Sequence, residues 1–117
     1  MREIKFRAVR LDTGEWIYGD LHLHSPFPHI HSTRGDKAKI DTNTIGQFTG
    51  LRDKNGTEVY EGDILCEADT NIKVVVVYEA PQFCYADNNF GYKFLNLPEN
   101  YVTIGNIHDN PELLKSL

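Results

Sequence analysis

Two His-x-His pairs, His22-Leu23-His24 and His29-Ile30-His31, are the residues best spaced for metal chemistry. On a strand, positions i and i+2 point the same way about 7 Å apart, so each pair can offer two imidazoles to one ion. Four imidazoles would fill a zinc or nickel shell, although the spacing matches no zinc signature. The competing expectation is solvated loop histidines, one of them stacked on Trp16 or Tyr18. A second cluster, Glu58, Glu61, Asp63 and Glu67, carries the carboxylates a two-metal hydrolase needs. No Lys or His accompanies it at close spacing, and turns favour such residues for their own hydrogen bonding. Nucleophile elbows, paired-His zinc helices and Gly-rich phosphate loops are absent from the sequence. The expectation is a chain with no catalytic residue and no cofactor. A metal-dependent hydrolase ranks last among its possible functions.

The elements that must position these residues read as strands. Residues 3–9 alternate, with Ile4, Phe6 and Ala8 on one side and Lys5, Arg7 and Val9 on the other. Asp12-Thr13-Gly14 turns the chain into residues 15–24. There Ile17, Gly19, Leu21 and Leu23 share one face, and Trp16, Tyr18, Asp20, His22 and His24 share the other. Ser25-Pro26-Phe27-Pro28 and the polar run Ser32 to Lys37 predict a long loop over 25–39. Beyond it, Asn55-Gly56 inside Asp53 to Gly56 is a strong hairpin signal. Ile72 to Tyr78 is apolar on both faces and predicts a central strand. Ala80-Pro81 ends it. Residues 83–86 and 92–97 flank a turn at Asp87 to Gly91, and Pro98-Glu99-Asn100 leads into 101–107. Closely spaced strands between 47 and 107 predict a small antiparallel barrel. At the end, Asn110 reads as an N-cap, with Pro111 at the first position of a short helical turn that tucks in Leu113, Leu114 or Leu117.

At 117 residues the chain suits one domain. The organisation expected is a hairpin and loop over 1–45, a barrel over 46–108 and a helical tail over 109–117. No apolar run approaches the ~20 residues that span a bilayer, and no signal-peptide pattern opens the chain, so a cytoplasmic location is expected. Cys66 and Cys84 lie outside any Cys-x-x-Cys and are expected as reduced thiols. The formal charge of −5 is unevenly spread. Residues 1–54 hold nine Lys or Arg against seven Asp or Glu, and residues 55–117 hold three against ten. A basic front and an acidic back can dock head to tail on a second copy.

Three blocks carry a resemblance. They are Arg2-Glu3-Ile4-Lys5-Phe6-Arg7-Ala8, then Thr49-Gly50-Leu51 through Asp53-Lys54-Asn55-Gly56 and Glu61-Gly62-Asp63-Ile64, then Ile104-Gly105-Asn106-Ile107-His108-Asp109-Asn110-Pro111-Glu112-Leu113-Leu114. Together they resemble the YopX family, small proteins encoded by bacteriophages and prophages. The resemblance implies a β-rich chain with an SH3-like barrel in its C-terminal part and a self-associating N-terminal part. It implies no reaction. The His-rich stretch from His22 to His31 stands outside the family pattern.

Within those blocks Gly50, Gly56, Gly62, Asp63 and Gly105 read as fold determinants. Asp63 is placed to accept a backbone N–H, and Gly105 to mark a bulge or close approach. The binding candidates are Lys5, Arg7, Trp16, Tyr18 and Phe27. They suit either an aromatic homo-oligomer interface or a basic aromatic face for single-stranded nucleic acid. The net charge disfavours the second. The function expected is a non-enzymatic accessory protein that self-associates and binds a host or phage protein. A nucleic-acid-binding regulator is the alternative.

Overall fold

The computed structural model describes residues 3–24, 26–79, 82–87, 91–94 and 100–116. The chain is mainly β, its strands pair antiparallel, and it forms two compact units, Met1–Phe48 and Thr49–Leu117.

In the N-terminal unit the alternating pattern yields β1 (Phe6–Arg10) and β2 (Trp16–His22), with Ala8 opposite Ile17 and Arg7 opposite Tyr18. The Arg10 N–H donates to the Glu15 carbonyl at 2.8 Å across the turn. Ile4 and Leu23 are exposed, because β1 starts at Phe6 and β2 stops at His22.

Residues 25–39 are not one long loop. They contain β3 (His29–Ser32), which pairs with β2 on one side and with the start of β4 (Lys37–Arg52) on the other. The prolines precede this strand, so they remove none of its ladder donors. Its single apolar residue, Ile30, is fully buried among Ala8, Ile17, Ala38 and Ile40. The polar residues that follow form a tight turn, in which the Ser32 N–H donates to the Asp36 carbonyl at 2.7 Å.

β4 then returns to β1, pairing Ile40 and Asp41 with Arg10 and Val9, and Gly46 and Gln47 with Arg7 and Phe6. The register slips between Arg7 and Val9, and Thr44 fills the gap. Its hydroxyl accepts the Val9 N–H at 2.8 Å and donates to the Asp41 carbonyl at 2.6 Å. A ladder that runs β1-β2-β3-β4 and back to β1 thus keeps the expected hairpin and replaces the loop expected to follow it.

In the C-terminal unit, the end of β4 pairs with β5 (Glu58–Tyr60). A second sheet follows in the order β10-β6-β7-β8-β9. It comprises β6 (Asp63–Glu67), β7 (Lys73–Glu79), β8 (Gln82–Asp87), β9 (Gly91–Phe94) and β10 (Tyr101–Asn106). β7 is central, as its apolar run predicts, and Val74 and Val76 are buried with Val59, Leu65 and Tyr101. The Ala80-Pro81 break, the tip of the Asp87–Gly91 turn, residues 95–99 and Leu117 lie outside the described residues.

Pro111–Ser116 forms a 3₁₀ helix. Asn110 stands at the expected N-cap position, where its carbonyl accepts the Leu113 N–H at 3.0 Å. Its Oδ1 accepts the Asn106 N–H at 3.2 Å, reaching back toward β10. That contact needs Gly105, which sits at a register slip in β10. A Cβ there would lie 2.8 Å from Asn110 Cγ. We expect Gly105→Ala to displace the Asn110 side chain and cost about 1–2 kcal/mol, with faster amide exchange at Asn106 as the check.

Candidate functional site

A cleft of about 410 Å³ opens in the N-terminal unit, between the paired β1 and β2 and the turn that joins β3 to β4. That volume falls within the range of small ligand pockets. β2 supplies Trp16, Ile17 and Tyr18, β1 supplies Arg10, and the turn supplies Ser32, Thr33, Arg34 and Asp36. Alternation on β2 places Trp16 and Tyr18 together on the face opposite the core residue Ile17. Tyr18 is 45% exposed. The turn is rigidified by Ser32 Oγ, which accepts the N–H groups of Arg34 at 3.3 Å and Asp36 at 3.1 Å.

The cations of the hairpin are matched within the unit. Arg7, expected on a solvent-facing basic surface, is only 6% exposed, and its guanidinium lies 4.6 Å from the Trp16 ring centroid. Lys5 pairs with Glu3 at 3.6 Å and lies 5.1 Å from the Phe48 ring. Arg10 donates from Nε and Nη2 to the two Asp12 carboxylate oxygens, each at 2.9 Å. These bonds raise the Arg10 pKa and lower that of Asp12 from their ordinary values, so both stay charged. Arg34 differs. It is exposed, and among the described residues its guanidinium makes no ion pair.

The histidines do not converge on a metal. His22 and His29 are cross-strand partners whose rings stack at 4.8 Å. His29 is buried, and its Nδ1–H donates to the Phe27 carbonyl at 2.9 Å. The Phe27 ring packs edge-on against His29 and under Lys39 Nζ, 4.4 Å away, so a cation already sits beside this group. His24 lies beyond the end of β2, and His31 is exposed opposite Asp20 and Lys37. Among the described residues no three His, Cys, Asp or Glu side chains gather to hold an ion. Cys66 is a free thiol.

Of the carboxylates of the central run, Glu58 contacts side chains and Asp63 contacts the backbone. Glu58 pairs with Arg52 at 3.4 Å and accepts the Tyr60 hydroxyl at 3.3 Å, and Asp63 Oδ2 accepts the Tyr60 N–H at 2.7 Å. Gly56 and Gly62 take positive φ at the turns that frame these residues, and Gly50 takes it within the end of β4. Asp53 ties three backbone groups together. One oxygen accepts the N–H groups of Asn55 at 2.9 Å and Thr57 at 3.0 Å, and the other accepts that of Thr103 at 2.8 Å, on β10. Burial pushes its pKa up, but the backbone donors Thr103 and Thr57 outweigh this, and the net shift is downward. Sequence reading passes over Asp53 because Thr103 is fifty positions away. It passes over Arg34 and Asp36 because a polar turn gives no sign of facing an aromatic strand.

Among the described residues no helix is long and apolar enough to cross a membrane. No curated protein matches the chain. Among solved structures it is similar to the crystal structure of protein EF1440 from Enterococcus faecalis, with 26% identity and a TM-score of 0.67. The match covers 97% of this chain and 99% of that one. The family model described as YopX protein matches residues 5–115, spanning most of both units, the second and third sequence blocks and the first from Lys5 onward. By that match, the chain belongs to the YopX family.

Proposed function

We propose that the chain is a non-catalytic phage or prophage accessory protein that works in the host cytoplasm. It self-associates through its N-terminal unit and binds a host or phage protein, with an SH3-like barrel in the C-terminal unit as its support. The observation that carries this reading is the aromatic cleft, whose neighbouring cations Lys5, Arg7 and Arg10 are matched by partners of the same unit. A phosphate track needs several cations free to displace counterions, which this arrangement does not offer. Protein surfaces, by contrast, are bound through exposed Tyr and Trp beside apolar groups. Ile4, Leu11, Tyr18 and Leu23 of the N-terminal unit are all exposed.

Sedimentation velocity across tens of micromolar, a rough range for weak association, should show a mass above the 13.4 kDa of one chain. A monomer throughout would remove self-association. Retention on single-stranded DNA that falls steeply with salt would replace the whole reading with nucleic-acid binding.

A further inference from the structure

We infer that the cleft of the N-terminal unit is a peptide-binding site, and that its guest is an acidic segment of a partner protein carrying an aromatic or aliphatic side chain next to an Asp or Glu. This rests on the reading of the chain as an interaction module and names what the module recognises. The cleft offers two kinds of contact. Trp16 and Tyr18 form an aromatic floor, and Arg34 stands on the opposing turn. Arg10 also lines the cleft, but Asp12 takes its Nε and Nη2 donors, so the fork of that guanidinium is engaged. Arg34 is therefore the cation available to a guest, and a guanidinium fork matches a carboxylate in a bidentate geometry.

One available guanidinium beside two rings fits one carboxylate beside one apolar side chain. Asp36, on the same turn, sets a limit on the guest. A second carboxylate placed near it would meet like charge, so the recognised segment carries its acid on the Arg34 side. Ser32 Oγ is occupied by the two N–H groups of its own turn, which holds Arg34 and Asp36 at fixed spacing before any guest arrives.

Trp16 is the chain's single tryptophan and lines the cleft, so its emission reports directly on occupancy. The test is selection of a displayed library of random 12-residue peptides against the full chain, followed by titration of the enriched peptides by Trp16 fluorescence. The expected result is enrichment of an Asp or Glu within a few positions of an aromatic or aliphatic residue. Arg34→Glu and Tyr18→Ala should each weaken binding about tenfold or more, the scale of one lost charge-assisted contact. Ile72→Ser, an exposed position of the other unit, should leave it unchanged. Arg34 lies on an exposed turn, so its variant should fold, and an unchanged amide spectrum would verify this.

The inference is overturned by no enriched peptide, by enrichment of Lys or Arg instead, or by peptides whose affinity ignores Arg34→Glu. A Trp16 shift that depends on protein concentration alone also overturns it, by assigning the cleft to a second copy. Self-association measured on the Arg34→Glu variant keeps the two readings apart. If the variant still self-associates but binds no peptide, the inference stands. If the wild type neither self-associates nor binds peptides, the proposed function fails with it.

Discussion

Replacing Asp53 with alanine is expected to lower the stability of the C-terminal unit by about 3–5 kcal/mol, the cost of stranding several backbone donors of a buried carboxylate. The side chain is 8% exposed and accepts three backbone N–H groups, two from its own turn and one from β10. Alanine would leave all three donors without their acceptor, those of Asn55 and Thr57 on an exposed turn and that of Thr103 on a half-buried strand residue. Amide exchange should therefore accelerate at Thr57 and Thr103 and in the buried strand residues Val74 and Val76, with little change at Ile17 or Ile30. Unchanged protection at Thr103 would show that the carboxylate is dispensable.

Acid should expose the same dependence in the wild type. The folded pKa of Asp53 lies below its ordinary value, so ionisation stabilises the fold above the ordinary aspartate range of about 4. That contribution fades as the pH falls through the lowered value. Asp53→Asn keeps the shape but removes the charge, and it places an NH₂ donor opposite a backbone donor. Its unfolding free energy should start lower at neutral pH and converge on the wild type in acid. Parallel curves for the two proteins would rule out this role.

The second large effect concerns Gly19. A Cβ there would collide with the His31 carbonyl oxygen and stand 2.8 Å from Ser32 Cα, both backbone atoms of β3. Backbone cannot yield as the end of a side chain can. Gly19→Ala should push β3 away from β2, opening the core around Ile30 at a cost of about 3 kcal/mol or more. Gly14 provides the control, because its φ is also positive but nothing lies within 4 Å of the added carbon. Gly14→Ala should cost only about 1 kcal/mol in backbone strain. Thermal unfolding followed by Trp16 emission compares the two directly, and equal losses would refute the packing argument.

What could be read in the sequence depended on how local its cause was. The first hairpin and the Asn55-Gly56 turn are set by alternation and turn chemistry within a few residues, and both lie where those rules put them. The central position of β7 matches its apolar run: the strand pairs on both edges with β6 and β8, Val74 and Val76 are buried on one face, and Val75 and Val77 are half-buried on the other. β3 escaped because four residues with one aliphatic side chain carry no period. Its stability comes from pairing on both edges, which no window of sequence displays. The burial of Arg7 is hidden from the sequence for a related reason. Its place on the polar side of β1 is correct, but Trp16 across the hairpin covers it. Gly19 and Asp53 owe their importance to β3 and β10, elements distant in the chain.

The return of β4 to β1 limits how anything can dock on the N-terminal unit. β1, β2, β3 and β4 each pair with at least two neighbours. Over the registers they share, main-chain donors and acceptors are already engaged, which shortens any row a visiting segment could extend as an extra strand. Selectivity at this unit then falls mainly to side chains, and assembly through it should respond to single surface substitutions.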